Sequence, residues 1–474
     1  MIKKYRCHPI QIVANIWKLL ILLIIPIIRG LFNAFTGDLV SWLSGAWFDI
    51  SIVLVILGLG IIQWYCKVYY ADNTGITLEQ GILIKKTSFI PKENILSLVV
   101  TKSFFLRPFN ALRVRADTLG GSFKNADFNV LLTKKQTQIL KENLSDKNIE
   151  YHNLYKTNLI YVIALSLITS NSFAGILIIT TFISNLGEAL GKELSERIYD
   201  TFHLVSQKLA FGIPPAAANI AFLLFIGWFV TFVKNVIKYR NLTVSKNSRC
   251  INVKGGIFTV NDCNIAPRSF ICLDIRQTLL TKMMGIHSIF VHAIGLGKYE
   301  NDVSALIPGV KSKHLNMAVK DLSPKFIPTK PTLKPNLGAI LRFIADPLYF
   351  CISIPLITYI LILIYPDWRD FLLSIAALPM VAALWFLVVR IIDLFTSGIS
   401  KKNGCYTIRC SKGFYFHTVI IPKEKIAAVK TRQSIFQKLD KRCDVFIYTC
   451  SEGITMYRCR NLLKPDVLKI FKDI

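Results

Sequence analysis

"IIPKEKIAAVKTRQSIF" occupies Ile420–Phe436. Two stretches like it lie upstream in the same chain, "SFIPKENILSLVVTKSFF" at Ser88–Phe105 and "NIAPRSFICLDIRQTLL" at Asn264–Leu280. The three align without a gap. Pro91, Ala266 and Pro422 share the first position, and Ile95, Phe270 and Ile426 come four later. Leu98, Leu273 and Val429 follow after three more. Arg276-Gln277 then matches Arg432-Gln433, with Thr101-Lys102 in the first copy. Phe104-Phe105, Leu279-Leu280 and Ile435-Phe436 close the match. A chain that repeats itself is read by its repeats first. These 474 residues therefore form three units.

Each unit opens on apolar sequence. Six stretches approach the roughly 20 apolar residues that a spanning helix needs. They are Ile12–Ile28, Trp47–Tyr65, Leu159–Ile183, Ile213–Val233, Asp346–Tyr365 and Phe371–Ile392. Lys18 interrupts the first and "TSNS" (Thr169–Ser172) the third. No A-x-A-like site follows the first, which argues against a secretory signal. The stretches fall in pairs, each followed by a long polar segment. The expected fold is a membrane protein with six transmembrane helices in three pairs. Its boundaries are pair 1 at 1–66, module 1 at 67–156, pair 2 at 157–233, module 2 at 234–335, pair 3 at 336–395 and module 3 at 396–474.

Charge sets the expected orientation. The net charge is +28, yet 53% of residues are hydrophobic and mean hydropathy is +0.46. A soluble nucleic-acid binder would carry that charge on a more polar chain, so nucleic acid is not expected as a partner. A basic excess on an apolar chain fits basic aqueous parts beside a membrane. The short connections hold Arg29, Lys192, Arg197, Lys208 and Arg369 against Asp38, Glu188, Glu193, Glu196, Asp200, Asp367 and Asp370. The basic "MIKKYR" start and the Lys-rich long segments belong on the cytoplasmic side by the positive-inside rule. No cysteine falls in an outer connection, so no disulfide framework is implied.

Within a module the pattern alternates with period two, as strands do. "GITLEQGILIKK" (Gly75–Lys86) reads as a hairpin turning at Gln80-Gly81. "INVKGGIFTV" (Ile251–Val260) turns at Gly255-Gly256, and "CYTIRCSKGFYFHTVI" (Cys405–Ile420) at Lys412-Gly413. Later strands are "LRVRADT", "SIFVHAI" and "DVFIYTC". Each module ends on a helical pattern: Ile139, Leu140 and Leu144 after a Thr133–Gln136 capping box; Leu315, Val319 and Leu322; and Val467, Leu468 and Phe471 after Pro465. That is a small barrel or sandwich closed by a C-terminal helix.

The hydrophobic-Ile-Pro-x-x-x-Ile-x-x-Val stretch and "LRVRADTLGG" (Leu112–Gly121) resemble the bacterial pleckstrin-homology-like (PH-like) membrane proteins. The match is closest in copy one. Copies two and three depart from the Gly-Gly ending at "AIGLGK" (Ala293–Lys298) and "TCSEG" (Thr449–Gly453). The resemblance implies PH-like cytoplasmic modules, three per chain, and a bacterial inner-membrane address. It implies no activity.

No G-x-S-x-G, H-E-x-x-H or P-loop motif is present. His287 and His292 fall on opposite faces of one strand. Cys405, Cys410, Cys443, Cys450 and Cys459 lack the paired short spacings of a zinc site and read as buried thiols. No cofactor, metal or catalytic residue is expected. Arg390 with Asp393, and Arg342 with Asp346, sit near span ends, where long charged side chains reach out to the interface. The candidate lipid-facing bases are Lys85, Lys86, Lys134, Lys135, Lys423, Lys425, Lys441 and Arg442. The expected repeat core is Pro91, Ile95, Leu98, Phe270, Leu273, Pro422, Ile426 and Val429. The function read from this is a non-catalytic membrane-anchored scaffold. Its modules would bind a protein partner, each other or a second copy, or anionic lipid, in envelope maintenance or resistance to membrane-active agents. The alternative is a transporter or channel, but the units run parallel and show no 3+3 inverted repeat.

Overall fold

The computed structural model describes residues 4–16, 39–120, 126–144, 152–170, 192–208, 214–247, 249–294, 305–450 and 456–472. Among these, three helices are long and apolar enough to cross a membrane: Ala216–Tyr239, Leu337–Ile364 and Pro366–Thr396. Val53–Cys66 and Leu159–Thr169 are shorter apolar helices. The six expected spans are thus met in part. Most of Ile12–Ile28 and the second half of Leu159–Ile183 lie outside the described residues.

The helices are α1 (Gln11–Ile16), α2 (Leu39–Cys66), α3 (Lys134–Leu144), α4 (Leu159–Thr169), α5 (Lys192–Lys208) and α6 (Pro215–Tyr239). They continue as α7 (Leu279–Met283), α8 (Leu315–Leu322), α9 (Ile340–Ile364), α10 (Arg369–Thr396), α11 (Ile435–Leu439) and α12 (Lys464–Ile470). Pro366–Trp368 turns α9 into α10. The helix α5 occupies a connection read as a plain loop. Its Phe202 packs on Phe222 of α6 with tilted rings 5.1 Å apart, and His203 contacts Asn219 at 2.9 Å.

Module 1 contains β1 (Tyr5–Arg6), β2 (Val68–Ala71), β3 (Gly75–Gln80), β4 (Lys86–Pro91), β5 (Ile95–Lys102), β6 (Ala111–Thr118), β7 (Phe128–Thr133) and α3. Module 2 contains β8 (His152–Lys156), β9 (Thr243–Lys246), β10 (Ile251–Gly255), β11 (Val260–Ile265), β12 (Phe270–Gln277), β13 (Ile286–Ala293), β14 (Ala305–Lys311) and α8. Module 3 contains β15 (Gly398–Lys402), β16 (Cys405–Lys412), β17 (Tyr415–Pro422), β18 (Ile426–Arg432), β19 (Arg442–Thr449), β20 (Met456–Leu463) and α12. Residues 152–156, assigned by sequence to the end of module 1, pair with β9 of module 2. Tyr5–Arg6, assigned to the first helix pair, adds to module 1.

The repeated stretch is a corner. In each copy a single 3₁₀ turn, Lys92–Asn94, Pro267–Ser269 or Lys423–Lys425, swings the chain from one sheet to the next. Pro91, Ala266 and Pro422 are the extended residues before the turn. Phe270 and Ile426 are buried at 3% and 8% exposure, Leu98 and Leu273 are buried, and Ile95 and Val429 are half-buried against the same cores. The hairpin at 405–422 matches the reading, whereas the one read over Ile251–Val260 does not: Gly256 leaves the ladder at φ +102° and the return strand begins only at Val260. Nor does the one read over Gly75–Lys86: β4 begins at Lys86, because Gly81 turns the chain at φ +119° and Gly81–Lys85 stays outside the ladder.

The sheets cross module boundaries. Strand β5 of module 1 pairs antiparallel with β11 of module 2, giving the seven-stranded order β7-β6-β5-β11-β10-β9-β8. Strand β12 of module 2 pairs with β17 of module 3, giving β14-β13-β12-β17-β16-β15. Both joints have one register. Leu98 faces Asn264, and their counterparts one repeat on, Leu273 and Ile420, face each other. Thr101 faces Asn261, and Arg276 faces His417. The cores merge accordingly, since Val99 of module 1 and Cys405 and Ile420 of module 3 belong to the core of module 2. Among the described residues β4 and β18, which stand where the joint strands stand in the other copies, pair with no strand of another module.

Candidate functional site

The second joint carries buried charge. Asp274 on β12 is fully buried, with Nδ1 of His417 on β17 at 3.1 Å from its Oδ1. Arg276 Nε donates to Asp274 Oδ2 at 2.6 Å and its guanidinium lies 4.2 Å from the Phe290 ring centre. Burial alone would raise this carboxyl. His417 and Arg276 overcome that and hold it well below the usual carboxylate range. At the first joint, Lys141 of α3 donates to Asp262 at 2.5 Å, a partly exposed pair that contributes about 1 kcal/mol or less.

Module 3 is clasped to its own helices. Arg390 and Asp393 of α10 are 6% and 3% exposed. Arg390 Nη1 donates to Ser411 Oγ at 2.6 Å, and Ser411 Oγ donates to Asp393 at 2.7 Å. On α9, Asp346 accepts from Arg460 at 2.7 Å, and Arg342 donates to Asn461 at 2.8 Å. Sequence reasoning sent these charges out to the interface. The structure buries Arg390 and Asp393 against β16, where an unpaired buried charge would cost several kcal/mol, and pairs half-buried Arg342 and exposed Asp346 with β20.

One end of every module lies against a long apolar helix. Gly256 N–H donates to Arg240 O at 3.0 Å, just past α6. Val68, two residues after α2, pairs with Glu79 next to the Gly81 turn. Phe414, in the β16–β17 turn, packs on Phe386 of α10 with ring centres 5.7 Å apart. The loops after β5, β12 and β18 come to the same end, because each of these strands runs away from its corner. Hence Phe104 packs on Phe258 at 5.9 Å, and Lys282 lies 3.8 Å over the Phe416 ring. This end forms a rim along the array. Its apolar side chains are exposed, from Leu83 (97%) through Phe105 (80%) and Met283 (79%) to Ile435 (80%).

The sequence-predicted bases divide by this geometry. Exposed Lys85 and Lys86 follow the Gly81 turn on the rim. Lys134 and Lys135 start α3, beside Ala111 through the Ala111–Thr133 pair, and also lie there. Lys441 and half-buried Arg442 start β19 after the α11 loop, on the same end. Lys423 and Lys425 do not share it. They occupy the corner at the far end of β17, about 23 Å along the strand from Tyr415. Sequence reasoning missed the rim. Its signal was present as apolar pairs at the tips, which the repeat alignment matched but gave no role.

Among the described residues no group of three His, Cys, Asp or Glu is placed to hold a metal ion. Cys410, Cys443 and Cys459 are buried, and burial pushes their thiols up, to about 11 for Cys443. Such thiols are poor nucleophiles at neutral pH.

The bacterial PH domain family model matches residues 11–148, which span module 1 and the segment leading into it. The chain is also 21% identical over 485 residues to the UPF0699 transmembrane protein YdbT of Bacillus subtilis (strain 168). That alignment covers 95% of this chain and 92% of the relative. No solved structure matches.

Proposed function

We propose, from the match of residues 11–148 to the bacterial PH domain family model and the likeness to a transmembrane relative, a non-catalytic scaffold of the bacterial cell membrane. The modules lie on the cytoplasmic side and present one continuous surface to protein partners and to anionic lipid. The observation that supports this most is the pair of joints in one register. They use sheet edges to fasten the modules to each other. The reading fits a role in envelope maintenance or in resistance to membrane-active agents. Affinity capture of the full chain in mild detergent tests it, with cross-links expected from a partner to the modules. Ion flux or solute uptake by the purified chain in liposomes would replace it with the transporter reading.

A further inference from the structure

We propose that the rim is a lipid-inserting edge, which seats all three modules on the leaflet they face. The inference rests on the scaffold reading only for which leaflet that is.

Three facts carry it. First, the rim meets the ends of α2 and α6 and, through Phe414, the side of α10 ten residues before that helix ends, so it lies beside the helices that enter the membrane. Phe386, the partner of Phe414, lies one helical turn to the bilayer side of Arg390, about 6 Å along the axis. Interfacial apolar groups sit about 5–10 Å into the headgroup and acyl boundary. Phe414 is therefore already at insertion depth. Second, the exposed side chains recur at equivalent tips: Leu83, Phe105, Phe258, Met283, Phe414 and Phe436. Scattered surface apolar residues need no explanation, but a row of them on one edge marks a contact. Third, exposed Lys85, Lys86, Lys134, Lys135, Lys438 and Lys441 flank that row. Apolar tips between lysines suit a leaflet of anionic phospholipid, where each base near the surface adds attraction. The corners at the opposite end carry Lys423 and Lys425 and, among the described residues, no helix junction, so they face water.

The full chain tests this, carrying Cys450→Ser to remove the exposed native thiol. One version adds Phe436→Cys and another Lys423→Cys. Each is labelled with a polarity-sensitive fluorophore and reconstituted in vesicles of phosphatidylglycerol and phosphatidylcholine. The unlabelled-site parent gives the background from the half-buried thiols. The label at 436 is expected to shift to the blue, to lose iodide quenching and to be quenched by lipids nitroxide-labelled near the headgroup. The label at 423 is expected to behave as in water. In phosphatidylcholine alone the signal at 436 is expected to weaken. Equal iodide access at 436 and 423 overturns the proposal. Unchanged insertion without anionic lipid overturns its electrostatic half. Iodide added to one side reports which leaflet is involved. A label at 423 reached from the outer face refutes the cytoplasmic scaffold reading, whether or not 436 inserts.

Discussion

Removing the Asp274 carboxylate is expected to loosen the second joint and leave the first intact. The loss can be sized from the site. Breaking a buried ion pair by deleting one partner costs about 3–5 kcal/mol when the other charge stays trapped. Here the trapping is incomplete. The Arg276 side chain is 28% exposed and can reach water. The low end applies, about 3 kcal/mol, which is about a hundredfold in an opening equilibrium. Asp274→Ala should therefore raise amide exchange about a hundredfold in β12 and β17. Strands β5 and β11 should exchange as before. His417→Ala should cost less, because Arg276 still pairs with the carboxylate, and the double variant should be less than additive. Mass-resolved exchange on the full chain reads all four strands at once. Unchanged β12 and β17, or an equal rise in β5 and β11, would refute the idea that this charge group fastens the two modules.

Acid should weaken the module 2 side of that joint before it touches Asp274. Burial, with Arg409 and Lys282 nearby, pushes His287 down to about 4. Its stabilising effect is complete above the ordinary histidine value of about 6.5 and is lost as pH falls toward 4. Protection of β13 and β14 amides, corrected for intrinsic rate, should drop between pH 7 and pH 5, and His287→Gln should flatten that drop. A side chain at Gly309 would meet Tyr161 at 2.6 Å. Gly309→Val should thus cost about 1–3 kcal/mol, lower the melting temperature and be partly rescued by Tyr161→Ala. Ile426→Ala should cost about 2–5 kcal/mol, while Lys423→Glu with Lys425→Glu leaves melting unchanged. Melting unaffected by Ile426→Ala would show that the corner is not packed. For topology, an impermeant thiol reagent should reach engineered cysteines at positions 41 and 195 in intact cells and spare exposed Cys450. Outside labelling of Cys450 would invert the assignment.

The unit was legible because its signals are local. Period-two alternation, the Gly413 turn and the Thr133–Gln136 cap each act within a few residues. The corner was legible because it is repeated. The joints were not, since Leu98 and Asn264 meet across a long separation and nothing local marks a strand as shared between two modules. The hairpin at Gln80-Gly81 was misplaced because alternation runs on through "ILIKK", although Gly81 has already left the ladder. Arg390 and Asp393 were misjudged for the same reason as the joints. Their partner Ser411 comes from a strand that the helix pattern cannot foresee.

A contact that joins unlike faces in a fixed register has no natural end. Applied between separate molecules it generates a filament rather than a closed ring. Here the backbone sets the count at three, and the terminal residues keep it there. Continuing the register past module 3 would set Arg432 against Lys86 of another copy, where the second joint sets Arg276 against His417. Lys430 stands where Asp274 neutralised that position. Like charges directly opposite are destabilising, and lysine on a bare strand edge discourages pairing. The strands at the two outer ends of the array thus carry like charge where the second joint carries a buried acid.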